Sequence, residues 1–262
     1  MARIHLFELG DMAWFPRRWH QYMTDYMAFI EKRVPKTLLV FLPLLERLLA
    51  RSDRRRVVDL CSGGAGPWPV LSESLATSER GPVTVTLTDL EPNLPALERA
   101  RAHGRGHIEI VATPVDASQV PESLVGARTI FNGFHHMRPE LARAVLADAA
   151  RARQPIGIFE LTSPSLLHAL FSPIIVLVVM LATPFIGPFS LGRLFWTFII
   201  PVVPLATWWD GMVSNLPVYS DDELRALVAQ IDAPGYTWEI ARIPSGPFKV
   251  PYLLGYPGDE SR

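Results

Sequence analysis

The sequence predicts an α/β fold: a seven-stranded, mostly parallel, doubly wound sheet that ends in an antiparallel hairpin. An N-terminal helical cap precedes the sheet, and an apolar helical insertion comes before the last helix. Three observations carry this reading. Strand-like and helix-like segments alternate between residues 56 and 161, which argues for parallel strands joined by helical crossovers. An apolar strand runs into Asp59-Leu60-Cys61-Ser62-Gly63-Gly64-Ala65-Gly66, and a second strand runs into Asp89. Strand, acid, glycine turn, helix, strand, acid is the layout of a nucleoside-binding half of an open α/β sheet. Finally, two strand-like runs flank Pro244-Ser245-Gly246-Pro247, a turn-rich sequence that reads as a hairpin.

The elements follow in order. Residues 1–50 carry Trp19, Tyr22, Tyr26 and Phe29 at helical spacing, then leucines from Leu38 to Leu49, and predict two or three helices. Strands are predicted over 56–61, 83–88, 107–112, 127–132 and 156–161, with helices over 67–77, 93–103 and 139–152. Ser220-Asp221-Asp222-Glu223 is a capping box that opens a helix reaching residue 231. The hairpin strands are predicted over 237–243 and 249–255. The chain reads as a single domain with a cap (1–50), a core (55–165), an apolar insertion (166–212), and a C-terminal helix and hairpin (213–262).

Composition narrows the function. The chain has 262 residues, is 49% hydrophobic and 19% charged, and so can bury a sizeable core. Its net charge of −1 offers no basic field for a nucleic acid. The one cysteine, Cys61, rules out an internal disulfide and fits a reducing, cytoplasmic compartment. Arg3, His5 and Glu8 break the apolar N-terminus, which does not read as a secretory signal. Seven histidines are scattered without metal-ligand spacing, so no metal site is expected.

The glycine turn separates two cofactor classes. A nicotinamide or flavin site needs G-x-G-x-x-G, so that backbone N–H groups cradle a pyrophosphate. Here Gly64 and Gly66 are followed by Pro69 at the third position, and Pro67 and Pro69 remove two donors. S-adenosylmethionine carries no phosphate and needs no such cradle. The stretch resembles the glycine-rich motif of the class I, Rossmann-like, S-adenosylmethionine-dependent methyltransferases of small-molecule type. Cys61 and Ala65 stand where that motif has its first and third glycines, and Gly63 fits. The resemblance implies a cofactor set of Asp59, Cys61, Ser62, Gly63 and Gly64, with Asp89 and Leu90 at the ribose. Asp116 and Ala117 would lie near the adenine, and Asn132 completes the set. Two alternatives stay open: a non-catalytic S-adenosylmethionine-binding or membrane-attached scaffold of this fold, and a nucleotide-dependent oxidoreductase.

Phe131-Asn132-Gly133-Phe134-His135-His136-Met137 follows the fourth predicted strand. The resemblance places residues there between cofactor and acceptor. His135 and His136 are candidate general bases, since histidine titrates near neutral pH. On an extended backbone they would point apart. Glu160 ends an apolar strand, where a carboxylate needs a reason to be buried, and is the third catalytic candidate. Asp210-Gly211 reads as a turn, and Cys61 as a small packing residue.

From Ala169 to Trp209 the only charged residue is Arg193. The apolar runs are short for a membrane span and are broken by Pro173, Pro184, Pro188, Pro201 and Pro204. The segment reads either as a buried helical lid or as an element docking peripherally on the inner face of a membrane. Both readings imply a small apolar or amphipathic acceptor.

Overall fold

The computed structural model describes residues 6–10, 12–33, 35–52, 55–78, 80–161, 172–245 and 248–258. Expectations that fall on the first five residues, on 169–171 and on Gly246-Pro247 lie outside the described residues. In chain order the described α-helices are α1 (Arg17–Arg33), α2 (Pro35–Leu39), α3 (Leu42–Leu49), α4 (Trp68–Ala76) and α5 (Leu94–His103). They continue with α6 (Pro139–Arg151), α7 (Ile174–Ala182), α8 (Leu191–Leu194), α9 (Val202–Val213) and α10 (Asp221–Val228). The strands are β1 (Arg56–Asp59), β2 (Thr84–Leu87), β3 (Ile108–Ile110), β4 (Ala127–Phe131), β5 (Ile156–Phe159), β6 (Tyr236–Ser245) and β7 (Phe248–Pro257). The chain forms two compact units, Met1–Val34 with Thr162–Val218, and Pro35–Leu161 with Tyr219–Arg262.

The second unit holds one seven-stranded sheet of order β3-β2-β1-β4-β5-β7-β6. Strands β1 to β5 are parallel, with Val58 opposite Thr86 on one side and Arg128 on the other. Strand β7 runs antiparallel to β5, pairing Leu253 with Ile158, and β6 completes the hairpin. The central strands β4 and β5 are buried throughout, as parallel strands covered on both faces must be. Strand order reverses between β1 and β4, so the carboxyl end of β1 opens onto the crevice where such sheets bind ligands.

Both faces of the sheet are covered. Phe41, Leu45, Trp68, Leu71 and Leu97 pack with Phe131 and Phe159 on one side. Val145, Leu146 and Leu224 pack with Ile130, Ile158 and Leu253 on the other. Residues 35–50, which the sequence groups with the N-terminal cap, thus contribute α3 to the sheet's own core. Prolines stand in the first turns of α3, α4, α5 and α6, where the missing N–H costs no helical bond. The capping box at Ser220 is formed, with the Ser220 side chain accepting from the Glu223 N–H.

The first unit is helical. The aromatic stripe of α1 is core: Tyr22, Met23 and Tyr26 pack with Val179, Ala182, Val203 and Ala206. Asp210 does not close a turn. The helix runs on through Gly211 to Val213, and the Asp210 carboxylate accepts the Leu9 N–H at 2.6 Å and the Gly10 N–H at 2.9 Å. Packing of α9 against α1 and α7 overrides the local Asp-Gly turn signal. A π-helical turn, Phe195–Ile199, follows α8, and the chain then bends by 74° into α9. No single described helix is long and apolar enough to cross a membrane.

Candidate functional site

The acid that ends β1 faces inward. Asp59 is 2% exposed, and Ser62 Oγ and Thr129 Oγ1 donate to its two carboxylate oxygens at 2.6 Å each. Burial pushes this carboxyl up to about 6; the two hydroxyls pull it down and the Asp89 charge adds to the rise. Asp59 therefore positions the glycine turn from behind. Ser62 ties the turn to the next strand, its N–H donating to the Thr88 carbonyl at 2.9 Å and its Oγ accepting from the Thr88 N–H.

The turn itself is a run of left-handed residues. Cys61, Gly63, Ala65 and Gly66 have φ of 57°, 51°, 83° and 47°. A Cβ built on Gly63, Gly64 or Gly66 would meet nothing within 4 Å, so these three positions front open space. Asp89 stands at the carboxyl end of β2, two residues past the strand. Its carboxylate accepts the Gly63 N–H at 2.7 Å and the Glu91 N–H at 2.9 Å. Leu90 beside it is 59% exposed. The segment after β3 joins through the Val115 N–H, which donates to the Asp89 carbonyl at 2.8 Å. There Asp116 is exposed and accepts from the Ser118 N–H and Oγ at 2.7 Å, while Ala117 is buried. The Cys61 thiol reports the convergence of the three acids: burial, then Asp89, Asp59 and Asp116, push it up to about 12. It is no nucleophile.

After β4, Asn132 takes a φ of 51°, and its Oδ1 accepts the Leu161 N–H at 2.7 Å, fixing the end of β5 against β4. His135 and His136 follow in a 3-10 turn, Phe134–His136, not on extended backbone. The two rings consequently lie side by side, with centroids 4.2 Å apart, instead of pointing apart. His135 is buried and His136 exposed. Both oxygens of Glu160 hold His135: Oε1 accepts its backbone N–H at 3.0 Å, and Oε2 lies 2.7 Å from Nδ1. This clamp assigns the proton to Nδ1 and leaves the basic lone pair on Nε2. Glu160, 5% exposed, thus has its reason for burial.

The structure gathers Asp59, Cys61, Ser62, Gly63, Gly64, Asp89, Leu90, Asp116 and Ala117 at the carboxyl ends of β1 to β3. Asn132, His135, His136 and Glu160 gather at those of β4 and β5. Sequence reasoning missed Thr129 and Thr88, the hydroxyls that hold Asp59 and its turn. A signal existed for Thr129, since a polar residue inside a wholly buried strand must find a partner.

No protein-family model matches the sequence, and no curated protein matches it. Solved structures do. The S-adenosylmethionine-dependent methyltransferase SibL, in its apo form, aligns at a TM-score of 0.56 and 13% identity, over 97% of this chain and 64% of SibL. The pyocyanin biosynthetic protein PhzM aligns at 0.52 and 13%, over 91% of this chain and 61% of PhzM. A protein of Nostoc punctiforme PCC 73102 aligns at 0.50 and 15%, over 91% of this chain and 59% of its own. The chain spans less than two thirds of the length of each. The likeness shows a fold shared with these structures: a seven-stranded, mostly parallel sheet with a C-terminal antiparallel hairpin.

Proposed function

We propose that this chain binds S-adenosylmethionine and transfers its methyl group to a small, lipophilic acceptor, with His135 as general base. The observation that carries the reading is the convergence of an open-faced glycine turn and three carboxylates at the carboxyl end of one parallel sheet. The residues fit the cofactor. Gly63 and Gly64 leave room for close backbone approach, Asp89 offers a carboxylate to the ribose hydroxyls, and Leu90 with Asp116-Ala117 would flank the adenine. The proline-interrupted turn lacks a pyrophosphate cradle, which this cofactor does not need. The description of SibL as S-adenosylmethionine-dependent supports the same choice.

Bound there, S-adenosylmethionine supplies a methyl group already activated on a sulfonium. The chain's own residues then position the acceptor, exclude water and remove a proton where the acceptor is a weakly acidic O–H. His135 would take that proton on Nε2. Glu160 would stabilise the resulting imidazolium through Nδ1–H, as a buried carboxylate does for a catalytic histidine. Support for a lipophilic acceptor comes from the apolar segment between Ser172 and Trp209, which holds one charged residue.

Turnover of S-adenosylmethionine to S-adenosylhomocysteine, measured over a panel of apolar phenols and carboxylic acids, tests the reading. His135→Ala should cut turnover by about 10²–10⁴-fold and leave cofactor affinity within about twofold. Glu160→Gln should shift the pH profile of the rate, because the imidazolium loses its counter-charge. Undiminished turnover in His135→Ala would remove the general base. Cofactor binding without turnover on any acceptor would favour a non-catalytic binding protein of this fold.

A further inference from the structure

We propose that the helical unit docks on a lipid bilayer through the outer face of α7 and the loop that follows it. Ile174, Leu177, Val178 and Leu181 recur at i, i+3, i+4 and i+7, and all four are exposed. The opposite side of the same helix, Val179 and Ala182, packs into the unit's core. A helix that is apolar all round belongs in a large core or in lipid, and α7 is not enclosed. Leu181 is 64% exposed, and the exposure continues beyond the helix with Phe185 at 72%, Phe189 at 73% and Leu191 at 74%. Leu181 and Phe185 line one groove, and Phe189 and Leu191 follow close behind in the chain, a clustering that isolated surface leucines do not show.

Hydrocarbon demands that backbone and charge near such a face be satisfied from within the protein. Here the satisfaction is internal. Arg193 is 2% exposed and turns its guanidinium under the loop, donating to the carbonyls of Ile186 and Pro188. Its charge meets the Asp25 carboxylate at 3.1 Å. Ser190 Oγ caps the Arg193 N–H, and Thr183 Oγ1 returns its proton to the Val179 carbonyl at 2.7 Å. The loop is held by buried polar bonds and presents its phenylalanines outward.

The depth of docking follows from the same elements. No single described helix is long and apolar enough to cross a membrane, and α7 has nine residues, a length that suits one leaflet. A groove of about 440 Å³ runs between α1 and α7, lined by Phe29, Val178, Leu181 and Phe185 with Arg33 at its edge. The Arg33 guanidinium lies 3.7 Å over the Phe29 ring. An apolar floor beside an exposed cation suits an acyl chain with its phosphate at the interface.

The test is flotation of the purified full-length protein with phosphatidylcholine vesicles, with and without phosphatidylglycerol. The wild type should rise with both. Leu181→Glu combined with Phe185→Glu should lower the bound fraction at least about tenfold, with unfolding midpoint and circular dichroism unchanged. Should that pair disturb folding, Phe189→Glu on the exposed loop replaces it with the same expectation. A wild type that stays unbound, or variants that float as well as it does, would overturn the proposal. So would a concentration-dependent wild-type dimer that the variants abolish without any vesicle binding, since a second copy would then cover the face.

Discussion

Asp59 shows what one buried carboxylate costs and organises. It gathers Ser62 from the glycine turn and Thr129 from β4, and so joins two segments of the site. Its folded-state pKa of about 6 lies above the roughly 3.9 of an unfolded aspartate. Between those values the native state holds the extra proton, so the Asp59 contribution to stability falls as pH rises through the window. Two units correspond to about 3 kcal/mol. Urea unfolding at pH 4 and pH 7 should therefore find the wild type losing about 2–3 kcal/mol relative to Asp59→Asn; a pH-independent difference would mean that Asp59 ionises as freely in the fold as outside it. At this scale the sequence was a partial guide. Asp59, Asp89, Asp116 and Glu160 stand out as acids after apolar runs, and the structure gathers them where β-strands end. The hydroxyls that satisfy Asp59 come from residues far apart in the chain, and no local pattern pairs Thr129 with it. The two histidines were legible as chemistry but not as geometry, because a 3-10 turn sets their rings.

The turn after β1 is the element where local rules and function conflict. Cys61 and Ala65 depart from glycine, yet both adopt left-handed backbone. A side chain in that region costs about 1–2 kcal/mol, and such strain is kept where the surrounding structure fixes it. The departures therefore raise the energy of the turn. Cys61→Gly should hold stability within about 1 kcal/mol of wild type despite the lost packing, with cofactor affinity within about threefold; a loss of binding would show that the Cys61 side chain itself shapes the site. The sheet elements were more legible. Alternating strands and helices, the capping box and the terminal hairpin are short-range patterns, and each appears where its residues predicted it. Asp210-Gly211 was misread because tertiary packing carries α9 through a sequence that locally favours a turn.

At the scale of the molecule, helical periodicity identified the N-terminal helices but not their partners. Residues 35–50 join the sheet unit and residues 1–34 join the insertion, a division set by contacts distant in sequence. The apolar segment was plain in composition. Its exposure was not, since a buried and an exposed apolar helix read alike until their neighbours are known. Fold alone does not deliver an activity, so the central claim rests on the sheet unit's cofactor. Calorimetric titration of the full-length protein with S-adenosylmethionine, and separately with NADH, tests it most directly, with Asp89→Ala alongside. The account predicts S-adenosylmethionine binding with a dissociation constant on the order of micromolar, no NADH binding, and a loss of about 10–100-fold in Asp89→Ala. Absence of S-adenosylmethionine binding, NADH binding in its place, or unchanged affinity in Asp89→Ala would contradict it.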